Sequence, residues 1–122
     1  MNLRLSPSGR SAQKLDKMFF ALADTSRRSM VDRLSKGPAS VSELARPLEM
    51  ALPSVVKHLA VLEAGGVVTS QKRGRVRTYT IAPAALTALE TWVADRKARM
   101  NAAFDRLEDY LRVTAPGNDT EK

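Results

Sequence analysis

The sequence predicts a mainly α-helical domain with one small β-hairpin: about five helices and a two-stranded ribbon. Three observations predict it. Helical periodicity runs through most of residues 12–112. Strand-like alternation interrupts it once, around Gly74. And the chain's 122 residues make one domain with little left for a second.

In order, residues 1–11 (MNLRLSPSGRS) mix Pro, Gly, Ser and Arg without periodicity and read as a flexible basic arm. Leu15, Met18, Phe19 and Leu22 then recur at helical spacing and form an amphipathic stripe. Asp24 is placed to cap a second helix whose inner face is Met30, Val31 and Leu34, and Lys36-Gly37-Pro38 stops it. Ser40-Val41-Ser42-Glu43 has the form of a capping box and opens a short helix from Val41 to about Arg46, limited by Pro47. After a turn, Pro53 stands in the first turn of a helix over residues 52–64. Val55, Leu59 and Leu62 line one side of it, and Ser54, Lys57 and His58 the other. Gly65-Gly66 ends it.

Two β-prone runs follow, around the basic tip Lys72-Arg73-Gly74-Arg75 and on through Arg77. Pro83 starts a last helix of up to about 30 residues, roughly 45 Å long. Leu86, Val93, Met100 and Leu107 fall seven apart on it, with Leu89 and Tyr110 in a companion row. Residues 113–122 are polar, broken by Pro-Gly, and read as a flexible tail.

Composition narrows the function classes. With no cysteine, the chain has no disulfide, thiolate metal site or cysteine nucleophile. Its one histidine, His58, leaves no base–nucleophile pair, and no Gly-rich phosphate loop is present, so an enzyme is not expected. No catalytic residue, metal site or cofactor is assigned. The absence of a signal peptide or spanning segment points to a cytoplasmic protein without a membrane partner. The net charge of +7 points to an anionic partner, with nucleic acid the leading candidate.

A capped short helix, a tight turn, a second helix with a polar outer face and a basic hairpin together make a winged helix-turn-helix. In that arrangement the second helix enters the major groove of double-stranded DNA and the wing reaches the flanking backbone. Ser54, Lys57, His58 and Val56 are then the candidate base-reading residues, and Val56 suits a thymine methyl. Lys72, Arg73, Arg75, Arg77 and Ser42 are the candidate backbone contacts. The bland alternatives are an exposed helix residue for His58 and a solvated turn for the basic tip. Arg27 and Arg28 either bridge to carboxylates or reach a phosphate, with a structural role favoured for one of them.

The stretches FFALADTSRRSMVDRL (19–34), SVSELARPLEM (40–50), LPSVVKHLAVLEAGGVV (52–68) and GRVRTYTI (74–81) resemble the arsenic-resistance repressor (ArsR/SmtB) family, over about residues 15–112. The resemblance implies a homodimer paired through its first and last helices, repressing transcription from an operator at its own or a neighbouring promoter; the symmetry of a dimer makes that operator an inverted repeat. Leu15, Phe19, Leu22, Leu86, Leu89, Trp92, Val93 and Met100 are the candidate dimer interface. It further allows an effector, small molecule or protein, that the sequence does not specify. Thr25 stands where the family often has a proline, which should be harmless, and three further positions, at the candidate recognition helix, depart from the family pattern: Ala51 where a capping polar residue is usual, Val56 for Ser or Thr, and Ala60 for a basic residue. They make this helix more apolar than is usual. Metal sensors of the family carry cysteines where this chain has ELARP (Glu43 to Pro47), or Asp and His pairs on a last helix that here lacks histidine, so a non-metal-sensing member is expected. The alternative from another class is a winged-helix protein–protein interaction module that has lost specific DNA binding.

Overall fold

A computed structural model describes residues 7–114 of the chain, in two compact units that divide between Ala88 and Leu89. The first contains α1 (Pro7–Leu22), α2 (Thr25–Leu34), β1 (Ala39–Ser40), α3 (Val41–Leu48), α4 (Leu52–Ala64), β2 (Val68–Arg73), β3 (Val76–Ile81) and the start of α5 (Pro83–Thr114). The rest of α5 makes up the described part of the second unit.

The stripe residues bury as the helical spacing requires. Met30 and Leu34 of α2, Leu44 of α3, and Val55, Leu59 and Leu62 of α4 close on Val67, Val68 and Tyr79 of the sheet side. Fully burying a side chain of this size contributes roughly 1.5–3 kcal/mol, so this cluster is the main force holding α4 in place.

Capping fixes the helix ends. Asp24, in extended conformation, accepts from the Arg27 backbone N–H at 3.0 Å and starts α2. The anticipated capping box is present: the Glu43 N–H donates to Ser40 Oγ at 3.3 Å, and the Ser40 N–H to Glu43 Oε1 at 2.8 Å. The end of α1 is closed by side chains from α2. Arg27 Nε donates to the Ala21 carbonyl at 2.6 Å and its Nη2 to that of Phe20 at 2.9 Å, while Arg28 Nη1 donates to Leu22 at 2.7 Å. Cations at a helix C-terminus also meet the negative end of its dipole. Both arginines are therefore structural, where the sequence favoured that for only one, and they donate to backbone carbonyls, not to the expected carboxylates.

α1 and α4 approach closely where α4 ends. A Cβ built on Gly65 would lie 2.8 Å from the Ala21 Cβ and 2.8 Å from the Lys17 carbonyl oxygen. At a φ of −80° the Gly65 backbone conformation is open to any residue, so space and not torsion selects glycine here.

Four boundaries differ from the sequence reading. α1 begins at Pro7, inside the stretch read as a flexible arm, because Pro at a first helical position needs no N–H partner. Residues 1–6 of that arm lie outside the described residues. α5 runs to Thr114, two residues into the expected tail, and residues 115–122 likewise lie outside. α3 continues past Arg46 to Leu48 with Pro47 in its last turn, where few backbone bonds remain to be lost. Finally, the ribbon is not two-stranded. Ala39 and Ser40 pair with Tyr79 and Thr78, giving a three-stranded antiparallel sheet of order β1-β3-β2.

A candidate nucleic-acid interface

Helices α3 and α4 are joined through Glu49, Met50 and Ala51. Glu49 closes α3 in the left-handed region, φ 51° and ψ 41°, a conformation that costs a non-glycine residue roughly 1–2 kcal/mol. Met50, packed against the core next to it, holds the turn in that shape. Ala51 precedes α4 in extended conformation and supplies no side-chain cap, as its alanine methyl dictates.

Since α4 buries Val55, Leu59 and Leu62, a rotation of 100° per residue directs Pro53, Val56, Lys57 and Ala60 away from the core, all exposed. Val56 is 48% exposed, an apolar side chain held out on the same surface as the Lys57 ammonium. Ser54 is exposed on the flank. His58 departs from the expected outward direction. Its side chain is only 24% exposed and its Nδ1 lies 3.9 Å from Asp24 Oδ2, at the α1–α2 corner. One turn along from Ser54, it falls only about 60° from Val55 on the helical wheel, so the α2 cap, not open solvent, faces it. The Asp24 carboxyl is held below its usual range, chiefly by the Arg27 backbone N–H, with the Arg27 and His58 side chains adding to it.

The hairpin pairs Arg73 with Val76 around a two-residue loop, Gly74-Arg75. Gly74 has φ +62° and Arg75 does not share the positive φ, the pattern of a type II′ turn that needs glycine first. The register then sorts the side chains. Val68, Ser70 and Lys72 pair with Ile81, Tyr79 and Arg77, all on the face that Tyr79 buries against the core. Thr69, Gln71 and Arg73 pair with Thr80, Thr78 and Val76 on the opposite face. The basic residues read as one tip are thus divided: Lys72 and Arg77 on one face, Arg73 on the other, Arg75 in the loop. Arg77 is also engaged: its Nη1 donates to Ser70 Oγ at 2.8 Å, and Ser70 Oγ donates to Glu63 Oε2 at 3.0 Å. Burial pushes the neighbouring Tyr79 hydroxyl up, with the Glu63 charge adding to it. Ser42 is exposed in the first turn of α3.

Sequence reasoning missed this Glu63–Ser70–Arg77 link. The signal lay in the loop length: a two-residue turn at Gly74-Arg75 fixes Ser70 and Arg77 on one face.

Of the candidate interface residues in the first unit, Phe19 and Leu86 are exposed and Leu15 is half-buried. Leu22 is likewise half-buried and also packs against the core of its own chain. In the second unit, Leu89 is half-buried, and Trp92, Val93 and Met100 are exposed along with Phe104, Leu107, Tyr110 and Leu111. Arg96 lies over the Trp92 ring at 4.3 Å. Among the described residues no helix is long and apolar enough to cross a membrane.

A helix-turn-helix followed by a hairpin wing, with an exposed cation on the outer face of the second helix, defines a winged helix-turn-helix DNA-binding protein. Residues 22–71 match the helix-turn-helix domain family. The chain is 43% identical over 76 residues to the HTH-type transcriptional regulator Rv2034 of Mycobacterium tuberculosis, covering 62% of this chain and 71% of that one. It is 47% identical to the ArsR family transcriptional regulator RHA00566, whose crystal structure superposes with a TM-score of 0.69 over 74% of this chain and 93% of that one. The homodimeric winged helix-turn-helix DNA-binding domain Mb0332 of Mycobacterium bovis is similar at 27% identity and a TM-score of 0.63, over 82% of this chain and 95% of that one. The chain belongs to the ArsR family of transcriptional regulators.

Proposed function

We propose that the protein is a homodimeric transcriptional repressor that binds an inverted-repeat operator and needs no metal to do so. The observation that carries this reading is the outer face of α4, where Val56, Lys57 and, at its flank, Ser54 are exposed and not required by the core. Lys57 donates to guanine O6 or N7, Val56 meets a thymine methyl and Ser54 either donates or accepts. Arg73 and Arg75 of the wing, with Lys72, meet the flanking phosphates, and Ser42 meets a phosphate at the start of α3. His58 takes a supporting part, aligning α4 against the Asp24 cap.

A second copy covers Leu15, Phe19 and Leu86, and the row Leu89, Trp92, Val93 and Met100. That much exposed apolar surface is unusual on a monomer, and the similar Mb0332 domain is homodimeric. Two protomers then place two α4 helices in successive major grooves, about one helical turn or more apart. Metal independence follows from Ala45 and the other residues of Glu43 to Pro47, where no thiolate stands. The competing reading, an interaction module without specific DNA binding, draws on Ala51, Val56 and Ala60; the exposed cations of α4 and wing weigh against it.

Footprinting on the DNA upstream of the protein's own gene, with gel shifts against operator and random fragments, tests the proposal. A symmetric footprint that Lys57→Ala weakens by about tenfold, sparing random DNA, is the expected result. Equal affinity of wild type for operator and random DNA, or no binding, overturns it.

A further inference from the structure

We infer that Glu63, Ser70 and Arg77 form a positioning strut that sets the wing against the recognition helix, so that Arg77 and the acidic Glu63 both support DNA binding without touching DNA. The inference rests on the proposed reading of α4 and the wing as the DNA interface. Glu63 stands at the end of α4, Ser70 in β2 and Arg77 in β3. The Ser70 hydroxyl uses both of its capacities at once. It receives a hydrogen from Arg77 Nη1 at 2.8 Å and gives its own to Glu63 Oε2 at 3.0 Å. Cation, hydroxyl and anion therefore polarise one another in series, which favours one orientation of the hydroxyl and strengthens both bonds.

The strut lies where the hairpin most needs it. The Ser70–Tyr79 pair is the last to have a buried side chain; beyond it come Gln71 opposite the half-buried Thr78, then Lys72 opposite Arg77 and Arg73 opposite Val76, these last two pairs exposed. Two like charges face each other at Lys72 and Arg77, a pairing that would splay the strands. The hydroxyl and the carboxylate draw Arg77 back toward α4. Glu63 is otherwise out of place: a carboxylate at the end of a helix docked on a polyanion repels it. Holding the wing's cations at the correct distance from α4 accounts for its presence.

Two readouts distinguish the strut from direct phosphate contact. If Arg77 contacts one phosphate in each protomer, Arg77→Ala flattens the log–log salt dependence of operator binding by about 1.8, at ~0.9 per phosphate. The strut predicts weaker binding, by about fivefold or more, with the wild-type slope retained. Glu63→Ala gives the sharper sign. Removing an acidic group near DNA raises affinity on charge alone, whereas loss of the strut lowers it. Ser70→Ala should match the Arg77→Ala loss and Ser70→Thr, which keeps the hydroxyl on the strand, should restore affinity. In a double-mutant cycle, Glu63→Ala and Arg77→Ala together should cost less than their sum. Thermal unfolding of each variant, run in parallel, reports whether the fold is kept. A flattened slope for Arg77→Ala, tighter binding by folded Glu63→Ala, or additive losses overturns the strut. Failure of wild type to bind operator overturns the DNA-binding reading itself.

Discussion

Gly65→Ala isolates the close approach of α1 and α4. The added methyl would sit 2.8 Å from the Ala21 Cβ and 2.8 Å from the Lys17 carbonyl oxygen. Carbon atoms in contact prefer about 3.5–4.0 Å, so α1 has to retreat by the better part of an ångström. Ala21 is fully buried and cannot turn aside. Overpacking of this kind costs about 1–3 kcal/mol. Against it stands a gain of about 0.4–1 kcal/mol from stiffening the unfolded chain, because alanine tolerates the native φ. The net loss is then about 1.3 kcal/mol at mid-range, which lowers Tm by about 5–10 °C. Thermal unfolding followed by circular dichroism at one fixed protein concentration measures it, since a dimer's Tm depends on concentration. Urea titration should give an unchanged m-value. Combining Gly65→Ala with Ala21→Gly should cost less than the two separate losses added together. A Tm at or above wild type would mean that the space between the helices accepts a methyl, and would refute the close-packing argument.

Neutralising Arg73 and Arg75 together should flatten the operator salt slope by about 3.6, for four phosphates per dimer, and weaken operator and random DNA alike; an unchanged slope assigns them to solvent. Ala51→Ser should add a cap to α4 worth about 1 kcal/mol and raise Tm in a thermal scan, because the backbone is already extended at φ −66° and ψ 143°; no rise means the first-turn N–H groups are satisfied otherwise. The Asp24 and Glu43 carboxyls are both lowered in the folded state, mainly by the backbone N–H groups of Arg27 and Ser40, respectively. Their contribution is therefore full above the ordinary values of 3.8 and 4.5 and is lost as pH falls through the lower folded ones. Asp24→Asn with Glu43→Gln, which keeps both caps, should flatten the acid limb of stability against pH; an unchanged limb places the dependence elsewhere. Zinc, cadmium or arsenite at low micromolar levels should leave operator affinity unaltered in gel shifts; stoichiometric binding with release of DNA would overturn metal independence.

Periodicity and capping carried most of the fold. Leu52–Ala64 is the helix that Pro53 and Gly65-Gly66 delimit, and Asp24, Ser40 and Glu43 cap as their spacing requires. What was not legible depends on contacts distant in sequence. Two residues, Ala39 and Ser40, are too few to carry an alternation, and only the presence of Tyr79 and Thr78 beside them makes a strand. Arg27 and Arg28 are cations on a helix surface until the α1 carbonyls are seen to end within their reach. His58 was misdirected because a helical wheel sorts inside from outside but does not say what stands at the boundary. There, 3.9 Å away, it meets the cap of another helix.

The short reach of β1 divides the wing into two regimes of motion. Tyr79 and Thr78 are hydrogen-bonded between strands on both sides, whereas from Arg77 to Arg73 the ribbon is a bare two-stranded pair. Such a pair is barely stable in water by itself. Its amides should exchange with solvent through local fraying, orders of magnitude faster than those of the inner rungs, which open only with the whole domain. The tip beyond Arg77, from Arg73 to Val76, can then move without disturbing the core or the Glu63–Ser70–Arg77 link. Under the proposed reading, in which α4 is packed rigidly and the wing meets the flanking phosphates, such a tip would follow DNA whose groove width varies from one site to the next.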